Sequence, residues 1–395
     1  MSKVMLTGRQ RRQVVWMCAA FQLCMGMHSA LKGIVLPMII QAHSISYTLS
    51  GVLLTSSTVG YLSGSLLCER LGASLGRMRV LLMSLGVMAG TSVLIALNGV
   101  VVAYIPLFMV SGICYGAVEC LTTAVIQYWC PEDADAMIST AFSAYCPGAA
   151  LGAVLTGLLW LSGASWQLSY WACGGMCLGC LIVCGRAHLP DDRGGRQAGY
   201  SLRGIGALRG YPLFLLGCAG MFLFSGAENA SYSWLPTFFK AGADQSFWTT
   251  CLLSAELYAA IFLGRLIFAR LTKRVNSTVL AVGSCLAAML VLWSLGRIRT
   301  YPAAIAIFGF AMSSIYPLLI STVSRLCTLP MTYSALFLAV GIGNLSVNSS
   351  MGGIADRFGV GGSLRFCGVL LLLVAAVAAV VGARGSKERR SGHAA

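Results

Sequence analysis

Apolar residues run through this chain in long stretches broken by short charged or turn-rich punctuation. The first six runs cover about 14–40, 47–68, 78–98, 101–128, 137–161 and 166–186. Six more follow at about 211–239, 246–271, 277–296, 302–325, 332–354 and 362–383. A helix needs roughly 20 mostly apolar residues to cross the hydrocarbon of a bilayer, so each run predicts one transmembrane helix. The stretch between the two blocks, 187–210, holds Arg193, Arg196, Arg203 and Arg209 with Asp191, Asp192 and several glycines. It reads as a solvated loop between domains. The expected organisation is a six-helix bundle over 1–186, a cytoplasmic interdomain loop over 187–210, and a second six-helix bundle over 211–395 ending in a short basic tail.

The two blocks repeat one another. Leu36-Pro37 faces Leu235-Pro236 at an offset of 199, and Gly64, Leu66, Arg70, Leu71 and Ser84 face Gly264, Leu266, Arg270, Leu271 and Ser284 at 200. Gly112 and Val118 match Gly309 and Ile315 at 197, while Gly157, Gly163 and Leu168 match Gly353, Gly359 and Leu364 at 196. Four colinear matches at nearly constant offset indicate a repeat. Six spans between copies leave both in the same orientation, a parallel pseudo-twofold repeat about the membrane normal. The fold class expected is therefore all-α integral membrane, twelve transmembrane helices in two six-helix bundles. A solute site between two such bundles, opened alternately to each side as they rock, is the corresponding mechanism.

Composition narrows the function. Of 395 residues, 57% are hydrophobic and 10% charged, against roughly 25% charged in a soluble domain, and mean hydropathy is +0.81. A soluble enzyme is excluded. The net charge of +15 does not require nucleic acid. With a cytoplasmic amino terminus, 21 of the 27 Lys and Arg fall on the cytoplasmic side, five on the other, and Lys32 inside the first helix. That bias fits the positive-inside rule for twelve spans with both termini cytoplasmic, and basic loops also favour contact with anionic lipid. A multi-pass plasma-membrane protein is expected, and the first apolar run is too long for a cleaved signal sequence. Among the 16 cysteines, Cys173, Cys177, Cys180 and Cys184 share a helix face without an accompanying His or carboxylate, which favours packing over a metal site. No cofactor is expected, and no phosphate-binding loop or zinc-binding helix motif is present.

Several segments resemble the major facilitator superfamily over nearly the whole chain. Ser65-Leu66-Leu67-Cys68-Glu69-Arg70-Leu71-Gly72 with Gly76-Arg77-Met78-Arg79 resembles its cytoplasmic loop motif between helices two and three, Ser65 and Glu69 standing for the usual Gly and Asp. Gly264, Arg265, Leu266 and Arg270 form the counterpart in the second half. Within the superfamily the chain is most similar to fucose permease-like sugar:proton symporters, through Gly33-Ile34-Val35-Leu36-Pro37, Glu119, Gly226-Ala227-Glu228, Trp234-Leu235-Pro236 and Ile315-Tyr316-Pro317. The resemblance implies solute transport without catalysis, a gating role for Glu69, Arg70, Gly72, Arg77, Gly264, Arg265 and Arg270, and an acid at Glu228 facing the solute. The family's first helix often bears Asp near its Pro turn, where this chain has Lys32 and Gly33.

Ionisable groups at bilayer depth are costly and usually line a cavity or pair with one another. Four stand inside predicted helices: Lys32, Glu119, Glu228 and Glu256. Glu119, about eleven residues from the nearest loop, suits a carboxyl that loads and releases a proton; the alternative is a fixed Lys32–Glu119 ion pair joining helices one and four. His28 lies one turn before Lys32 on the same face. Glu228, Asn229 and Tyr232 offer acceptors and an aromatic face to a hydroxyl-bearing solute, or else Glu228 is a helix-end carboxyl in water. Glu256 suits an internal partner or gate. Tyr316, followed by Pro317, combines an aromatic surface with a helix kink. Asn344 and Asn348, one turn apart, line the pathway or hold helices together.

These residues point to a secondary active transporter moving a small polar solute, a sugar or related compound, coupled to protons through Glu119, with sodium as the other candidate ion. An unpaired Lys32 would instead favour an anion, and with it an exporter or antiporter of drugs or organic anions. A transporter-like sensor is the reading from another class. A monomer is expected.

Overall fold

The computed structural model describes residues 8–186, 205–272, 274–297, 301–324, 326–327 and 332–392. All regular structure among them is helical, and the long helices are apolar enough to cross a membrane. The first four spans are α1 (Gly8–His43), α2 (Tyr47–Leu75), α3 (Arg77–Leu97) and α4 (Val101–Trp129). The fifth, expected as one helix, is two: α5 (Ala134–Ser143) and α6 (Tyr145–Leu161), joined at Ala144, whose N–H bonds back to Ala141 and Phe142. The sixth is α7 (Gln167–Gly185).

Helices α8 (Pro212–Thr237), α9 (Phe247–Leu271), α10 (Ser277–Ser294) and α11 (Tyr301–Ser324) form spans seven to ten. The last two spans lie in α12 (Thr332–Gly392), two helices that meet at a kink inside the expected junction 355–361. At 1.5 Å per residue its 61 residues would reach about 90 Å, several bilayer cores. The break lies at Gly359, whose φ of 72° and ψ of 164° are non-helical and nearly restricted to glycine. Similarly, Gly76 alone joins α2 to α3, with a φ of 95°. The interdomain loop expected over 187–210 lies largely outside the described residues; a short 3₁₀ helix covers Ile205–Gly210.

The chain forms two compact units, with boundaries that differ from a simple cut between blocks. Unit 1 holds residues 1–45, 52–199 and 246–255; unit 2 holds 46–51, 200–245 and 256–395. The first turn of α2 thus belongs to unit 2 and the start of α9 to unit 1. In unit 2, Asp356, expected in a loop, sits in α12 and accepts hydrogen bonds from the Tyr47 and Thr48 amides at 3.0 and 2.9 Å. These satisfy free amides at the start of α2. In unit 1, Trp160 of α6 meets Phe247 of α9 edge-on at 5.0 Å.

Within unit 1, α1 is buried along most of its length between α5, α6, α7 and α4, while α3 packs on α4 and α7. In unit 2, α8 and α10 pack against α12, and α11 against α10 and α8. One crossing sets the geometry of the candidate site. Gly60 and Gly64 of α2 and Gly112 and Gly116 of α4 form two facing small-xxx-small motifs, the means by which membrane helices approach closely. A Cβ on any of the four would lie 2.0–2.1 Å from a backbone oxygen of the facing helix. The repeat carries the same device into unit 2, where a Cβ on Gly309 of α11 would lie 2.7 Å from the Leu257 oxygen of α9.

Candidate functional site

Each unit carries its own polar cluster at membrane depth. In unit 1, three helices contribute pairs one turn apart: His28 and Lys32 on α1, Ser57 and Tyr61 on α2, Tyr115 and Glu119 on α4. The close α2–α4 crossing places Tyr61 beside α4, with the Tyr61 and Tyr115 rings 5.4 Å apart. Lys32, only 8% exposed, donates from Nζ to Ser57 Oγ at 2.6 Å and stands 5.7 Å from the centre of the Tyr115 ring. Glu119 is half-buried and accepts a hydrogen bond from the Tyr61 hydroxyl. Tyr115 and Tyr145 of α6 are hydrogen-bonded, and Tyr145 also reaches Ser29 of α1.

The Lys32–Glu119 ion pair considered from the sequence does not form. The one ion pair among the described residues joins Arg11 to Glu132 at 3.4 Å. The α2 side chains supply the reason: Ser57 takes the ammonium and Tyr61 takes the carboxylate, so the two charges have neutral partners. His28 is buried and meets Tyr170 of α7 edge-on at 6.2 Å, with Nε2 unpartnered. Although one turn from Lys32, its ring thus contacts a different helix. Further along α7, Cys180 and Cys184 lie 3.8 Å apart through their sulfurs.

In unit 2, Tyr232 donates to Glu228 Oε1 at 3.2 Å, a contact within one turn of α8. The Tyr232 ring lies edge-on to Tyr258 of α9 at 6.3 Å and Phe308 of α11 at 6.4 Å. Glu256 is half-buried on α9, two residues before Tyr258. Tyr316 lies 6.4 Å from Phe224, ring to ring. The two asparagines of α12 are spent on α8: Asn348 donates to Asn229 Oδ1 at 2.8 Å, and Asn344 Oδ1 accepts from Ser225 at 2.9 Å.

The expected gating residues divide. Arg77 is 5% exposed and stands over the Tyr128 ring at 5.4 Å, with Gly72 packed close to its stem. Arg70 and Arg270 are exposed. A Cβ on Gly264 would collide with Ser313 at 2.3 Å, so this glycine serves the α9–α11 approach. Arg265 is exposed. The Glu69 side chain lies outside the described residues. Sequence reading missed Ser57, Tyr61, Tyr115 and Tyr145. Neutral polar residues are common in spans, and the available signal was their spacing of four around Lys32, Glu119 and the glycine pairs.

No curated protein matches the chain in sequence. Its fold is similar to a D-xylose-proton symporter, at 14% identity and a TM-score of 0.75 over 93% of this chain and 96% of that one. It is also similar to a bacterial homologue of the human lysosomal transporter Spinster in an inward-facing, occupied conformation, at 15% identity and a TM-score of 0.75 over 95% and 97% of the two chains. A nucleoside transporter matches at 12% identity and a TM-score of 0.75 over 94% and 98%. At these identities the likeness is one of fold. The model of the Major Facilitator Superfamily, in contrast, matches residues 18–341 in sequence, spanning both polar clusters except Asn344 and Asn348. With twelve spans, a parallel repeat and that match, the chain belongs to the major facilitator superfamily.

Proposed function

We propose that this protein imports a small polar solute by alternating access, coupled to protons through Glu119. The observation that carries the reading is the bonding of Glu119: a carboxyl at bilayer depth held by a phenol hydroxyl, with no ion pair to a described residue to fix its charge. Such a group can exchange a proton without breaking a salt bridge. The unit 2 cluster of Glu228, Asn229 and Tyr232 supplies acceptors and an aromatic face for hydroxyl groups, in keeping with the fucose permease-like sugar:proton symporters that the sequence resembles. The fold neighbours include a D-xylose-proton symporter and a nucleoside transporter, which supports a polar cargo. The bias of positive residues supports both termini in the cytoplasm and residence in the plasma membrane. Export or antiport of organic anions is a second reading, favoured by the lack, among the described residues, of an acidic partner on Lys32.

Glu119→Gln tests the proton role. In proteoliposomes it should abolish uptake driven by a pH gradient while leaving counterflow exchange intact, because exchange does not require the carboxyl to release its proton. Uptake that keeps its full pH dependence in this variant would refute the assignment.

A further inference from the structure

Lys32 is an ammonium at membrane depth with hydrogen-bonding capacity to spare. It has three N–H donors, of which Ser57 takes one, while the face of Tyr115 offers electrostatic stabilisation without a lone pair. No carboxylate of a described residue lies within ion-pair distance of it. Glu119, the nearest candidate by sequence, is engaged by Tyr61. A buried cation left in this state suits an anionic partner that arrives and departs.

We infer that the solute bound by unit 1 is a small organic monoanion, held through its carboxylate on Lys32, and that it moves together with one proton carried by Glu119. This rests on the proton-coupled transport proposed above and names its cargo.

The stoichiometry follows from charge. Without cargo, Lys32 and Glu119 sum to zero. Binding the anion alone leaves one net negative charge, and binding the proton alone leaves one net positive charge. Taking up both restores zero, with Lys32 facing the carboxylate and Glu119 neutral. A net charge at bilayer depth is costly, so the empty and the doubly loaded states are the two that cross. The remaining titratable groups around the pair are Tyr61 of α2, Tyr115 of α4, Tyr145 and Cys146 of α6, and His28 of α1. The phenols and the thiol count as neutral, and so does His28, which is buried with no hydrogen-bond partner at Nε2 to support an added proton. Transport is thus electroneutral, with one proton and one anion entering and none left behind.

The test uses purified full-length protein, the variants Lys32→Gln and Lys32→Arg, and three matched pairs of probes: glucuronate with glucose, galacturonate with galactose, and lactate with propane-1,2-diol. Thermal stabilisation reads binding; proteoliposomes with a trapped pH dye and a clamped potential read flux. At least one acid should stabilise the wild type more than its neutral partner and enter with one proton, at a rate insensitive to the potential. Lys32→Gln should weaken acid binding by roughly tenfold to hundredfold, the scale of one charge-assisted hydrogen bond, and Lys32→Arg should retain the preference for acids. Stabilisation by none of the acids, unchanged acid binding in Lys32→Gln, or acid uptake that carries net charge overturns the inference. Proton-coupled uptake of neutral probes alone also overturns it while leaving the proposed function standing. Uptake of either kind that ignores the pH gradient removes the proton role itself.

Discussion

Replacing Gly116 by alanine tests whether the α2–α4 crossing builds the unit 1 site. The added Cβ would lie 2.1 Å from the Tyr61 carbonyl oxygen and 2.8 Å from the Ser65 amide nitrogen and Oγ. Close carbon–oxygen contacts between helices fall near 3.3 Å, so α2 must retreat by about 1 Å. Backbone atoms cannot rotate away as a side chain would, and overpacking of this kind costs about 1–3 kcal/mol. Alanine also has the better helix propensity, by about 1 kcal/mol, which a control must remove. Gly90→Ala on α3 is that control, since a Cβ there meets nothing within 4 Å. Thermal denaturation in detergent should find Gly116→Ala less stable than Gly90→Ala by about 1–3 kcal/mol. Uptake should fall as well, because the retreat carries Tyr61 away from Glu119. Equal stability and equal uptake in the two variants would refute the claim that this approach holds the site together.

The Asn229–Asn348 bond should give a coupling energy of about 0.6–1.7 kcal/mol in a double-mutant cycle of alanine variants, the range found between membrane helices; a coupling near zero would mean that α12 is held to α8 by packing alone. Gly359→Ala forces a residue with a side chain into a region nearly restricted to glycine and should cost about 1–3 kcal/mol by thermal denaturation. An unchanged melting temperature would show that the break between the last two spans relaxes without penalty.

Much of the architecture was legible before any coordinates. Twelve apolar runs and a repeat at offsets near 200 are long, redundant signals, and no local detail can erase them. Four of the glycines that carried the repeat also pack: Gly64 and Gly264, Gly112 and Gly309 occupy equivalent helix crossings in the two units. The fifth span was harder, because the turn at Ala144 breaks a helix whose residues are apolar on both sides. The junction of the last two spans was expected at 355–361, which contains the observed break at Gly359. Its Asp356, Arg357 and two flanking glycines look like a loop, yet the chain stays helical and turns at Gly359 alone.

The candidate site divides along the same line. That Lys32, Glu119, Glu228 and Glu256 are candidates follows from their place in apolar runs, because a bilayer core penalises each charge regardless of its neighbours. What each charge does depends on which neutral side chain reaches it. Lys32 and Glu119 could have been a static pair on hydropathy grounds alone. The glycine crossing instead brings Ser57 and Tyr61 against them, one turn apart on α2, and leaves each charge with its own partner. Periodicity along one helix reports the face on which a residue lies, whereas the separation of two helix axes depends on which small residues meet across the gap. Lys32 therefore emerged as a functional candidate from the sequence, and its lack of an acidic partner among the described residues emerged only once α1, α2 and α4 were packed together.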